Sequence, residues 1–194
     1  SDEWIERVKA AQPELRTEKL ARYESEYGLP QYDAEILTGS KHLADVFERT
    51  VAICGKPKEV SNWLMTEAMR LLKEQEQEPE DMTFSPENLA KLISLIEKNV
   101  INRTVAKDVF EAVFKEDVDP GRYVEEHGLK VVNDTDALTK TIEELLEKNP
   151  QSVADFKAGK EKAMGFIVGQ TMRAMKGKAD PAVVNQLVRE RMSR

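Results

Sequence analysis

Apolar residues recur at spacings of three and four along most of the chain, in runs that stop at glycine or proline. That pattern fits amphipathic helices packed on one another. No stretch offers two adjacent alternating segments joined by an Asn-Gly or Asp-Gly turn, so a sheet has little support. The expected class is all-α. Composition agrees: 194 residues, 40% hydrophobic, 34% charged and 6% aromatic suit a helix-rich globular chain with room for one large or two small cores.

The runs can be placed one by one. Residues 13–27 carry Leu15, Leu20 and Tyr23 and close at Gly28-Leu29-Pro30. A short helix over 32–38 ends at Gly39, and Ser40 then caps a helix through Leu43, Val46, Phe47, Val51 and Cys54 to Gly55. Residues 56–73 hold a wide apolar stripe, followed by an exposed polar connection over 74–81. Ser85-Pro86-Glu87-Asn88 combines a cap, a first-turn proline and a first-turn acid, the clearest helix start in the chain. A helix over 102–115 follows, and Asp119-Pro120 opens another that stops at Gly128. The β-branched run at 128–133 breaks the helical rhythm. Further helices are expected near 135–148, 150–157, 160–176 and 180–193. The chain therefore reads as two multihelical domains, a helical bundle over 1–128 and a small helical tail over 129–194.

Several chemistries find no residues to support them. Cys54 is the single cysteine and reads as a small buried hydrophobe, and His42 and His127 are too far apart for a local zinc motif. His127 reads as a helix-end residue meeting carboxyl-terminal carbonyls. Trp4 and Trp63 are read as packing residues. Gly159-Lys160 and Gly177-Lys178 lack the upstream glycine and the following Ser or Thr of a phosphate loop. Asn102-Arg103-Thr104 and Asn133-Asp134-Thr135 match the N-glycosylation pattern by chance, as nothing at Ser1-Asp2-Glu3 resembles a signal peptide. No apolar run reaches the roughly 20 residues of a membrane span. No catalytic residue and no metal ligand is assigned, and a cytoplasmic protein without membrane contact is expected. The absence of a starting methionine suggests a piece of a longer chain.

Charge is uneven. Residues 151–194 hold nine Lys and Arg against four Asp and Glu, a net +5, so the rest carries −12 within the total of −7. A basic end on an acidic body suits contact with a polyanion, although a solvated basic surface gives the same count. On a helical wheel of about 100° per residue, Met164, Ile167, Val168, Thr171, Met172 and Met175 fall together. Lys162, Gly165, Phe166, Gly169, Arg173 and Lys176 take the other side. A solvent-facing helical glycine costs about 1 kcal/mol relative to alanine, so the two glycines need a reason. Either another helix approaches closely there, or a phosphate backbone lies against the helix between cations.

The ordered motifs Pro13-Glu14-Leu15-Arg16, Arg22-Tyr23, Tyr27-Gly28-Leu29, Tyr32-Asp33-Ala34, Leu37-Thr38, Leu43-Ala44 and Ser61-Asn62-Trp63 resemble the GatB family. So do Lys157-Ala158-Gly159-Lys160, 165–170, 176–181 and Val184-Asn185 in the tail. The likeness is to the carboxyl-terminal helical and YqeY-like tail region of the B subunit of aspartyl/glutamyl-tRNA amidotransferases. Asp180 and Arg173 stand where asparagine and lysine are frequent, and neither change removes the cap or the charge. The resemblance implies part of a complex that converts glutamate or aspartate misacylated on tRNA(Gln) or tRNA(Asn) to the amide. ATP and magnesium would act in a cradle domain outside this chain, which itself would carry no cofactor, and ammonia would come from an amidase A subunit accompanied by a small C subunit. The helical and tail regions would hold tRNA, through Lys160, Lys162, Gly165, Gly169, Arg173, Lys176 and Lys178. The other reading is a helical scaffold that docks another subunit through the Gly165/Gly169 face.

Overall fold

The computed structural model describes residues 3, 4, 7, 14–132 and 134–194, so Pro13 and Asn133 of the motifs above lie outside the described residues. The fold is all-α, as the apolar periodicity requires. The chain divides into two compact units, Ser1–Ile93 with Glu111–Asp117, and Ser94–Phe110 with Val118–Arg194. The tail expected over 129–194 lies wholly in the second.

In the first unit, α1 (Arg16–Ser25) and α2 (Gln31–Leu37) are joined through Gly28, whose φ of 61° is left-handed. Helix α3 (Lys41–Cys54) starts where Ser40 Oγ accepts from the Leu43 N–H at 3.2 Å and stops at Gly55 with φ 66°. Tyr23 and Phe47 are fully buried, with ring centroids 4.8 Å apart. Above them Arg22 donates to Glu14 at 2.8 and 2.6 Å, to the Tyr27 hydroxyl at 3.0 Å and to Glu48 at 2.7 Å. Glu48 also accepts from the Tyr23 hydroxyl at 2.9 Å and pairs with Lys19 at 3.3 Å. Burial raises the Glu48 carboxyl, but the Arg22 and Tyr23 hydrogen bonds and the Lys19 charge outweigh it and hold it below the carboxylate range. Burial and then Glu48 push the Tyr23 hydroxyl up.

The stripe over 56–73 is not one regular helix. It runs as α4 (Pro57–Trp63), a π-helical turn over Leu64–Ala68, and α5 (Met69–Glu74). Its apolar positions are too many for one narrow face: Val60, Trp63, Leu64, Ala68, Leu71 and Leu72 are all buried. The wider turn resets the rotation so that Leu71 and Leu72 return to the inward side. Beyond the exposed run, α6 (Pro86–Glu97) begins beside Asp117, whose carboxylate accepts from the Ser85 N–H at 2.7 Å and the Asn88 side chain at 2.9 Å. Cys54 is half-buried instead of buried, because its helix ends at the next residue. Trp63 is buried as expected, whereas Trp4 is exposed.

Helix α7 (Arg103–Glu116) is followed by α8 (Pro120–Glu126), capped by Asp119. His127 sits past its end, with Nδ1 2.9 Å from the Tyr123 carbonyl oxygen and its ring stacked on Tyr123 at 4.0 Å. Among its described residues the β-branched run forms no strand. Val131 and Val132 donate their N–H groups to the Val100 and Lys178 carbonyls at 2.8 and 2.9 Å, leaving one isolated bridge between Val132 and Ala179. Four helices complete the second unit: α9 (Thr135–Lys148), α10 (Pro150–Lys157), α11 (Lys162–Ala174) and α12 (Pro181–Met192). Asp134 caps α9 and Asp180 caps α12. Leu138, Ile142, Ile167, Val184, Val188 and Met192 form their fully buried core, with Met164, Val168, Met172 and Met175 packed on it.

Candidate nucleic-acid interface

Helix α11 has an inner and an outer side. Ile167 and Thr171 are buried, and the Thr171 hydroxyl is satisfied by the Ile167 carbonyl at 2.8 Å. Everything on the opposite row, Lys162, Gly165, Phe166, Gly169, Arg173 and Lys176, is exposed. A Cβ built on Gly165 or Gly169 meets nothing within 4 Å. The close-packing explanation of the glycines is therefore not realised among the described residues of this chain, and the two positions form an open shallow strip. Phe166 lies on it with 47% of its surface exposed. Its place on the basic side is visible on the helical wheel, but sequence reasoning credits it with no role.

The cations differ in how far they are neutralised. Lys160, in the turn after Gly159, pairs with Asp155 at 3.1 Å, and its hydrogen bond, followed by that of Gln151, holds the Asp155 carboxyl below its usual range. Arg191 pairs with Glu143 at 2.8 Å. Among the described residues Lys162, Arg173, Lys176 and Lys178 have no acidic partner within 4.0 Å. Lys162 and Arg173 stand about 16 Å apart along the helix axis, at 1.5 Å per residue. Arg173 and Lys176 also meet the negative end of the α11 dipole, which favours them there. Lys178 is half-buried in the following turn and off this row. The structure thus gathers Lys162, Gly165, Gly169 and Arg173 on one open face of α11, with Lys160 in the turn before it and Lys176 and Lys178 in the turn after it. The described residues contain no group of three or more His, Cys, Asp or Glu placed to hold a metal ion. Among the described residues no helix is long and apolar enough to cross a membrane.

On this all-α chain, a helix face whose cations have no acidic partner among the described residues suits contact with a polyanion. Comparison with known proteins gives the family. A family model described as the GatB domain matches residues 45–192, and the chain belongs to that family. It is 58% identical over its whole length to the B subunit of the aspartyl/glutamyl-tRNA(Asn/Gln) amidotransferase of Lachnoclostridium phytofermentans, covering 41% of that protein. The same-named protein of Agathobacter rectalis is 58% identical over 98% of the chain and 40% of its own length. That of Thermoanaerobacter sp. is 46% identical over the whole chain, again covering 41% of the relative. The chain thus spans about two fifths of the length of these relatives.

Proposed function

We propose that this chain is the tRNA-holding part of an amidotransferase B subunit. Whole, that protein would work with amidase A and small C subunits to convert Glu-tRNA(Gln) or Asp-tRNA(Asn) to Gln-tRNA(Gln) or Asn-tRNA(Asn), using ATP, magnesium and glutamine-derived ammonia. The chemistry belongs to parts of the protein outside this chain, which contributes binding and no catalytic group, and the work is done in the cytoplasm. The observation that carries the reading is the α11 face, where exposed cations without acidic partners flank two glycines that nothing covers. That the relatives are subunits of tRNA amidotransferases supports tRNA as the polyanion. Folded RNA is held mostly through backbone, shape and 2′-hydroxyl contacts, and bare helix backbone at Gly165 and Gly169 lets a ribose-phosphate strand come close. Phe166 adds a flat apolar surface against which a base or ribose can rest.

Neutralising Arg173 and Lys176 together, as Arg173→Gln with Lys176→Gln, tests it. Affinity for a folded tRNA transcript should drop roughly tenfold at low salt, with an unchanged melting temperature. Undiminished affinity would remove the reading. A second reading, a scaffold docking another subunit through Gly165 and Gly169, is favoured by the exposed phenyl ring of Phe166 beside the open glycines. In that case Gly165→Leu with Gly169→Leu abolishes association with the partner protein while the charge variant has little effect.

A further inference from the structure

Gly177, Lys178 and Ala179 present three consecutive backbone carbonyls, and each is taken by a donor from a distant part of the second unit. The Asn102 Nδ2 donates to the Gly177 carbonyl and, at 3.1 Å, to that of Ala179. The Val132 N–H takes the Lys178 carbonyl between them at 2.9 Å. At its other end Asn102 Oδ1 accepts from the Val105 N–H at 2.9 Å and caps α7. One carboxamide is thus used at both ends, which also fixes which end is oxygen.

The turn that Asn102 grips is an improbable one. Lys176 has φ 55° and Gly177 φ 73°, two successive left-handed residues, and a residue with a side chain seldom occupies that region. Local backbone bonds close it, from the Lys176, Gly177 and Lys178 N–H groups to the Arg173, Met172 and Met175 carbonyls at 3.0, 2.8 and 3.1 Å, and Asn102 and Val132 tie it to distant parts of the unit. This turn carries Lys176 and Lys178, two cations without acidic partners among the described residues.

We propose that Asn102 is a positioning residue for RNA binding. It is neutral and uses its hydrogen bonds internally, so it makes no contact with the ligand; it fixes the turn that aims the Lys176 and Lys178 ammonium groups before RNA arrives. A loose turn would have to be ordered at the moment of binding, and affinity would fall by that amount. The inference rests on the tRNA-holding reading above, and the experiment separates the two.

Binding of a folded tRNA(Gln) transcript to the 194-residue chain is measured across a salt series for four proteins. These are the unmutated chain, Asn102→Ser, Lys176→Gln with Lys178→Gln, and the triple variant. Serine keeps an oxygen for the Val105 cap and removes the amide nitrogen that reaches Gly177 and Ala179. Asn102→Ser should weaken binding about three- to tenfold, and the same change should have almost no effect once both lysines are gone. Equal losses in both backgrounds, or none in either, overturn the positioning role, because a merely structural residue does not couple to those two charges. If the unmutated chain ignores tRNA, or the lysine pair proves irrelevant, the tRNA reading itself falls and this inference with it. Should Asn102→Ser fail to fold, amide exchange in the unmutated chain decides. Gly177, Lys178 and Val132 should be protected on the scale of α12, and free-loop exchange overturns the proposal.

Discussion

Gly165 and Gly169 are interior residues of a helix, exposed, with nothing within 4 Å of where a Cβ would stand. Their conformational cost is therefore not offset by any contact inside the described chain. Gly165→Ala and Gly169→Ala should each stabilise the protein by about 0.5–1 kcal/mol, the ordinary helix-propensity difference, visible as a higher melting temperature. The same methyl groups stand where an RNA strand would lie, so tRNA affinity should fall as stability rises. A gain in both would mean that the bare strip serves no ligand. Sequence alone leaves packing and ligand approach as open readings of these glycines, since periodicity says which way a residue faces and nothing about what stands opposite.

At the level of helices, residues that punctuate were readable and residues that network were not. Ser40, Asp119 and Asp180 cap the helices expected of them, and Gly55 ends its helix as expected, because a cap is a local match between a side chain and the next turn. The π-helical turn over Leu64–Ala68 was not readable, for it answers to the surface that the stripe must meet. Nor was the meeting of α1 and α3, where Arg22 and Tyr23 reach Glu48 across 26 and 25 positions. The Arg22-Tyr23 and Tyr27 motifs contribute to the family likeness, and their physical role is this bracket. It has a pH consequence. Glu48 is held below its ordinary value in the folded state, so its contribution is complete above the unfolded carboxylate value and is lost as pH falls through the lower folded one. Glu48→Gln should cost on the order of 1 kcal/mol at neutral pH, solvent screening included, and much less at strongly acid pH. Urea titrations at several pH values measure the difference, and a cost that does not shrink toward acid would deny Glu48 this role. Ile167, fully buried in the core under α11, gives the contrasting case: Ile167→Ala should cost about 2–4 kcal/mol at any of these pH values.

Taken whole, the molecule is an anion of net charge −7 proposed to bind a larger anion. Bulk charge opposes that, so binding must be carried by the local excess of +5 over residues 151–194, within a Debye length of roughly 8–10 Å at ordinary salt. The location of that excess, and the all-α class around it, were readable in the sequence. Which of its cations remain free of acids was not, because Asp155 and Glu143 find Lys160 and Arg191 only in the fold. Counterion release makes the distinction measurable. Each cation that touches phosphate contributes about 0.7–0.9 to the slope of log affinity against log salt, so neutralising Arg173 and Lys176 should lower that slope by about 1.4–1.8. Neutralising Arg49 and Arg122, which already face Glu87 and Glu126 at 3.2 and 2.7 Å, changes net charge by the same amount and should leave the slope almost untouched. If the two pairs prove equivalent, net charge governs the interaction and the α11 face has no special part in it. If only Arg173 and Lys176 move the slope, an acidic protein holds RNA because one helix face keeps its cations clear of acids.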